Sequence, residues 1–203
     1  MSVIETVERQ IQNFFGVNVY LNEDATHRAL YRTRLCIEAI KPFNDNPYFD
    51  SSDPRKNVLF LWFLSNEHKD LPASKQIYYL NKVLHGCDLP PGAGLPEIFY
   101  IPHTNGVVIC NGVKIPDYSV FYQGTTIGRV GNNYPAIGAR VLMYPYSSII
   151  GRSTIHSPII LSKGGDMIDI GNVSFSHTVI WEKNNVYFER SDLFGFHFNM
   201  EKK

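Results

Sequence analysis

The stretch IGARVLMYPYSSIIGRSTIHSPIILSKGGDMIDIGNVSFSHTV, residues 137–179, carries an apolar residue at every sixth position. The eight positions are Ile137, Met143, Ile149, Ile155, Leu161, Met167, Val173 and Val179. Toward the N-terminus the same spacing recurs at Leu89, Leu95 and Ile101 and, after a slip of two residues, at Ile109, Ile115, Phe121 and Ile127. This period is neither that of a helix nor that of an alternating strand. It predicts a parallel β-helix, in which each short strand buries one side chain before the chain turns a corner.

A second position of the repeat, four residues after the first, is small or β-branched at Val113, Ser119, Thr125, Val141, Ser147 and Ser153. The alternative fold is a β-sandwich, whose strands would alternate with period 2 and be interrupted every 8–12 residues or so. The six-residue register accounts for more positions with fewer exceptions. The pattern weakens after about Ile159, where polar and bulky residues occupy the small positions.

The first 86 residues differ in composition from the rest of the chain, since only one of the fifteen glycines, Gly16, lies in the first 85 positions. Apolar residues there recur at helical spacing, and Asp53-Pro54 has the pattern of an N-cap followed by Pro at the first helical position. The predicted helices are Ile4–Phe15, Asp24–Ile40, Arg55–Lys69 and Ala73–Leu84. The fold class is therefore α+β, with a helical domain at 1–86, a β-helix at 87–183 and a C-terminal cap or tail at 184–203.

Composition limits the classes of function. Apolar residues make up 44% of the chain, which favours a folded domain, and 19 basic residues balance 19 acidic ones. A neutral balance argues against binding nucleic acid by counterion release. The longest apolar run, Val58 to Leu64, is far shorter than the roughly 20 residues of a membrane span. Three widely spaced cysteines and a first segment without an apolar signal core favour a cytoplasmic location. No histidine pair or CxxC has metal-ligand spacing, so we expect no metal.

Three stretches carry a resemblance to a known family: HTNGVVI (103–109), KIPDYSVFYQGTTIG (114–128) and YPAIGARVLMYPYSSIIG (134–151). They resemble the hexapeptide-repeat acyltransferases and, within them, the serine O-acetyltransferase group. The resemblance implies that the β-helix is left-handed and that the chain forms a homotrimer. It also implies that acetyl-CoA binds in a groove between neighbouring subunits, where the active sites lie.

The same resemblance assigns a catalytic pair. His103 stands where the family has its general base, and Asp88, fifteen residues earlier, stands where it has the partner carboxylate. An imidazole suits the role because its unperturbed pKa is about 6.5. A carboxylate on the other ring nitrogen fixes the tautomer and stabilises the imidazolium as it forms.

The resemblance implies acetyl-CoA as the acetyl donor and places its pantetheine arm along Gly128-Arg129 and the corner at Tyr144-Pro145. Acetyl transfer needs donors for the tetrahedral oxyanion, and the backbone N–H near Gly128-Arg129 is the expected one. Lys163 is expected to lie near the nucleotide end. The loop from Arg129 to Ala136 interrupts the repeat with four extra residues, as the family's active-site loop does.

Departures from the family pattern concern the acceptor. The serine enzymes have an Asp immediately before the base, where this chain has Pro102, and an Arg-His before a Pro, where it has Asn133-Tyr134. Proline cannot hold an ammonium group, and asparagine cannot pair with a carboxylate as a guanidinium does. Asn132, Asn133 and Tyr134 instead offer neutral hydrogen bonds and a ring, which favours a sugar or bacterial surface glycan, as in capsule or lipopolysaccharide biosynthesis.

Other hypotheses remain open at this point. The chain could be a diverged serine O-acetyltransferase, a sugar N-acetyltransferase, or a non-catalytic trimeric β-helix that serves as a scaffold. The last is favoured by the loss of the family's second histidine at Tyr134 and disfavoured by the retention of Asp88 and His103. The aromatic-rich stretch Val186–Met200 is expected to form a strand or hairpin that caps the β-helix or packs on a neighbour.

Overall fold

The computed structural model describes residues 2–182, 185–188 and 193–199. Four helices precede a parallel β-helix of about five turns, which confirms the predicted order of elements. Asp53 caps the third helix with Pro54 at its first position, as predicted, and Gly16 and Gly86 end the first and fourth helices in the left-handed conformation. The helices are α1 (Val3–Phe15), α2 (Glu23–Ala39), α3 (Pro54–Glu67) and α4 (Ser74–His85).

The β-helix has three sheets, one on each side of a triangular coil. The first sheet contains β1 (Phe99–Tyr100), β3 (Ser119–Phe121), β6 (Val141–Met143), β9 (Ile159–Leu161), β12 (Val179–Glu182) and β13 (Asn185–Phe188). The second contains β2 (Val108–Ile109), β4 (Thr126–Gly128), β7 (Ser148–Ile150) and β10 (Asp166–Ile168). The third contains β5 (Ala136–Ile137), β8 (Ser153–Ile155) and β11 (Gly171–Val173).

The pairing register follows the hexapeptide spacing. Ile109 pairs with Ile127, and Ile149 with Met167, so partners on adjacent coils are three repeats apart in the sequence. Ile127 pairs with Ile149, four residues further apart, because the loop after β4 is inserted there. All fifteen apolar positions of the predicted register are buried. The coils also continue past the point where the sequence pattern weakens, through β11 and β12.

The small position of the repeat has a structural reason. Ser119, Ser147 and Ser153 are fully buried, and each hydroxyl donates to the carbonyl three residues earlier. A small hydroxyl residue therefore fits inside the corner, where a backbone carbonyl satisfies its buried hydroxyl group.

One continuous core joins the helices to the β-helix. Phe99 of β1 is fully buried, with its ring centroid 5.4 Å from that of Trp62 and 5.9 Å from that of Phe63. At the surface beside it, the Arg32 guanidinium forms an ion pair with Glu97. The predicted boundary near residue 86 is therefore a change of secondary structure with extensive packing across it.

The described C-terminal residues contact both the β-helix and the helical domain. β13 pairs antiparallel with β12, so the predicted strand is present, although residues 183–184 of the connection lie outside the described residues. Residues 193–199 return to the end of α2, where Phe198 forms an antiparallel β-bridge with Ile40. The side chains of Phe194 and Phe198 are both buried. Residues 189–192 and 200–203 of the predicted cap or tail also lie outside the described residues.

Candidate active site

Asp88 lies between α4 and the first complete coil. Its backbone N–H donates to the carbonyl of Val107 and its carbonyl accepts from Ile109, which fixes it beside the turn that follows His103. Its carboxylate accepts hydrogen bonds from the Tyr78 hydroxyl at 2.5 Å and from Lys82 Nζ at 2.6 Å. Both of these donors come from α4.

The charge of Asp88 is set by competing effects. Partial burial acts to raise the pKa of Asp88, but the hydrogen bonds from Lys82 and Tyr78 outweigh it and hold that pKa below its usual value. The same contact with Asp88 raises the pKa of Lys82. Asp88 is therefore a carboxylate, with a cation beside it, at neutral pH.

His103 follows β1 at a corner of the coil, and its side chain is exposed. Its ring centroid lies 6.1 Å from that of Tyr122 on the next coil, and Tyr122 stacks on Tyr144 of the coil after that at 5.4 Å. The ring of His197, from the C-terminal segment, lies 6.0 Å from that of Tyr122. Within the part of the chain that the structure describes, no hydrogen bond joins His103 to Asp88, whose carboxylate contacts α4 instead.

The residues expected near the donor lie on successive coils. Gly128 ends β4, and its carbonyl accepts from the N–H of Gly151. Tyr144-Pro145 and Lys163 occupy equivalent corners of adjacent coils, since the Pro145 carbonyl accepts from Gly164, the residue after Lys163. The Lys163 side chain is exposed. Tyr144-Pro145 and Lys163 follow strands of the first sheet, whereas Gly128 ends a strand of the second sheet, so the residues expected near the donor lie at two different edges of the β-helix.

The inserted loop forms a tight turn. Val130 and Asn133 exchange two backbone hydrogen bonds, of 3.0 and 2.9 Å, and the side chains of Asn132, Asn133 and Tyr134 are exposed. The Arg129 guanidinium donates to the carbonyl of Gly131 and lies 5.6 Å from the centre of the Tyr134 ring.

That ring also covers Gly112 on the preceding coil, where an added Cβ would lie 3.4 Å from it. Packing on the glycine and the guanidinium therefore fixes the orientation of Tyr134.

The predicted residues do not all meet within one chain. His103 lies at the corner between the first and second sheets, whereas the loop lies between the second and third sheets. The resemblance predicts that a second subunit brings them together. The trimer and the left-handed coil remain predictions.

Tyr78, Lys82, Tyr122 and His197 were not predicted as site residues. A signal existed for Tyr78 and Lys82, because residues four apart share a helix face and this helix ends just before Asp88. His197 has no comparable signal, since it reaches Tyr122 only through the return of the C-terminal segment.

Two curated relatives support the resemblance. The chain is 31% identical over 112 residues to the serine acetyltransferase of Staphylococcus epidermidis, covering 53% of this chain and 52% of the relative. It is 28% identical over 116 residues to that of Staphylococcus aureus, covering 55% and 54%. The chain thus spans about half the length of the curated relatives it matches. A scan against protein-family models found no match.

Solved structures extend the similarity to nearly the whole chain. The serine acetyltransferase of Brucella abortus covers 93% of this chain and 84% of its own, with a TM-score of 0.61 and 17% identity. The chain has the serine acetyltransferase fold. A serine acetyltransferase in complex with CoA (TM-score 0.61, 13% identity) covers 91% and 75%, and the Neisseria gonorrhoeae enzyme in complex with serine (TM-score 0.61, 18% identity) covers 88% and 81%.

The described residues contain neither a cluster of metal ligands nor a helix suited to span a membrane. In residues 2–182, 185–188 and 193–199, no group of three or more His, Cys, Asp or Glu side chains is placed to hold a metal ion. None of the helices in these ranges has the length and apolar character needed to cross a membrane.

Proposed function

We propose that this chain is an acetyl-CoA-dependent O-acetyltransferase of the serine acetyltransferase type, with His103 as general base and Asp88 as the carboxylate that orients it. The observation that carries the proposal is the 31% identity to a serine acetyltransferase, joined to a fold shared with a CoA-bound member of that group. The retained pair of Asp88 and His103 supports catalysis over the scaffold hypothesis.

The reaction follows from the chemistry of these groups. His103 removes the proton of the acceptor hydroxyl, whose oxygen attacks the thioester carbonyl carbon. Negative charge develops on the carbonyl oxygen, and the backbone N–H at Gly128-Arg129 is the proposed donor to it. The intermediate collapses by breaking the carbon–sulfur bond, and the protonated His103 returns its proton to the departing CoA thiolate.

Serine is the first acceptor to consider, because the relatives are serine acetyltransferases. The loop lacks the family's arginine before the proline, yet it contains the Arg129 guanidinium, which lies over Tyr134 beside the exposed asparagines. A guanidinium can pair with the carboxylate of an amino acid in a bidentate manner. We therefore propose Arg129 as the carboxylate-binding residue if serine is the acceptor.

A sugar hydroxyl is the second candidate. It is favoured by Pro102, which cannot hold an ammonium group, and by the neutral, exposed side chains of Asn132, Asn133 and Tyr134. The two candidates differ in their need for charge, because a neutral sugar has no carboxylate to pair with the positive charge of Arg129. Acetylation of an amino sugar nitrogen would use the same donor and is part of the same test.

The test measures thiol release from acetyl-CoA with serine, with neutral sugars and glycans, and with amino sugars. We expect His103→Ala to lower the rate by about 10² to 10⁴, since a positioned base contributes that much. His156→Ala is the matched control, because His156 is an exposed histidine elsewhere on the β-helix.

The acceptors distinguish the outcomes. Turnover of serine, with a KM that rises in Arg129→Gln, supports the amino-acid acceptor, whereas turnover of a sugar alone supports the second candidate. If the wild type neither binds acetyl-CoA nor releases thiol with any acceptor, the proposed function is wrong and the scaffold hypothesis takes its place.

A further inference from the structure

One face of α4 reaches into the candidate active site. Tyr78 and Lys82 are four residues apart, so their side chains lie on the same side of the helix. Tyr78 donates to Oδ1 of Asp88 and Lys82 donates to Oδ2, so each carboxylate oxygen has its own donor.

We propose that Tyr78 and Lys82 are positioning residues of the active site, which fix the carboxylate of Asp88 and limit the negative charge that it presents to His103. The inference rests on the proposed function, in which Asp88 orients the base. It adds that the helical domain, and not the β-helix alone, sets the chemistry of the site.

The geometry leaves room for this role. Two backbone hydrogen bonds hold Asp88 beside the turn after His103, and the two α4 donors then fix the rotation of the carboxyl group. A carboxylate offers about four acceptor positions, so Asp88 can still accept from an imidazole while it keeps both contacts.

A purely structural role, in which these contacts only hold α4 against the β-helix, is a weak explanation for them. The side chains of Lys82 and Asp88 are 44% and 32% exposed, and ion pairs open to solvent contribute little to stability. The core around Phe99 already holds the two parts together.

The charged and titratable groups around Asp88 and His103 determine how the removal of Lys82 should affect the site. Lys82 and Tyr78 face Asp88 from α4, and the Cys87 thiol lies next to it in the chain. Tyr122 faces His103 from the next coil. Lys82 is therefore the cation among these groups, and its removal leaves the full charge of Asp88 to act on His103.

The first experiment compares pH profiles of kcat/KM. We expect Lys82→Met to move the acidic limb to higher pH by about half a pH unit, the size expected for one solvent-screened charge. Lys82→Arg should restore the wild-type profile. Tyr78→Phe should lower kcat about tenfold without changing the KM for acetyl-CoA, because one hydrogen bond to a charged group is lost.

Two residues of the same helix are matched controls. Lys75→Met removes an exposed lysine and Tyr79→Phe removes an exposed hydroxyl, and neither side chain contacts Asp88. Both variants should keep the wild-type rate and profile.

A second experiment does not depend on activity. The carboxyl carbon of Asp88 is titrated by NMR in the wild type, Lys82→Met and Tyr78→Phe, and its pKa should rise in both variants as the hydrogen bonds that lower it are lost.

An unchanged Asp88 titration overturns the inference. So do wild-type pH profiles and rates in the Tyr78 and Lys82 variants while His103→Ala is inactive, a result that leaves the proposed function standing. A wild type that is inactive with every acceptor overturns the proposed function instead. The titration of Asp88 then tests, without an activity assay, whether Tyr78 and Lys82 lower the pKa of its carboxyl group.

Discussion

His85, at the end of α4, is a buried histidine close to the amide of Asn57, whose Nδ2 lies 3.4 Å from its Nε2. Burial lowers the pKa of His85 from 6.5 to about 4. The unfolded chain therefore binds a proton at pH values where the folded chain does not. The resulting stability is fully present above pH 6.5 and is lost as the pH falls toward 4, by at most about 3 kcal/mol.

The prediction at the residue scale is that His85→Gln flattens this dependence. The glutamine cannot titrate, so the variant should be less stable than the wild type at pH 7 and should approach it near pH 4.5. Urea unfolding at several pH values measures the difference, and His27→Gln, on the exposed face of α2, is the control. A constant difference across this range would contradict the prediction.

At the scale of elements, the loop after β4 is an insertion into a regular coil. Ile127 pairs with Ile149 at a spacing four residues longer than the other partners in the sheet. Deleting Val130–Asn133 restores the spacing of three repeats. We expect the unfolding midpoint to change by only a few degrees, because surface loops contribute little packing and a shorter loop closes at a lower entropy cost.

The same deletion should abolish turnover of the acceptor while acetyl-CoA binding is retained, since the loop is proposed to hold the acceptor. Calorimetry with acetyl-CoA and the thiol-release assay separate the two effects. Full activity of the deletion variant would show that the loop is not part of the active site.

At the scale of the whole molecule, the helices and the β-helix share one core, so we expect them to unfold together. Phe99→Ala should cost about 3–5 kcal/mol, because it opens a cavity between Trp62, Phe63 and β1. Helical and sheet signals should be lost in one transition, followed by circular dichroism in denaturant. Phe196→Ala, at a side chain that is 67% exposed, is the control. Two separated transitions would mean that the domains fold independently.

Much of this architecture follows from the sequence because its determinants are local. The side chain that each coil buries depends on its place in a six-residue repeat, and the partner of each strand lies three repeats away, so spacing alone predicts what faces inward. The helices could be predicted for a similar reason, since Asp53-Pro54 marks the start of a helix through its own backbone preferences. The assignment of Asp88 and His103 came instead from the resemblance to the serine O-acetyltransferases.

Only the tertiary structure decided how the candidate site is assembled. The partners of Asp88 come from α4, and His197 approaches Tyr122 from the far end of the chain. These contacts depend on how the helices and the C-terminal segment pack on the first coils, which no repeat encodes. The sequence therefore determined the β-helix and the chemical groups that it carries, whereas packing between distant segments decided which charges surround them.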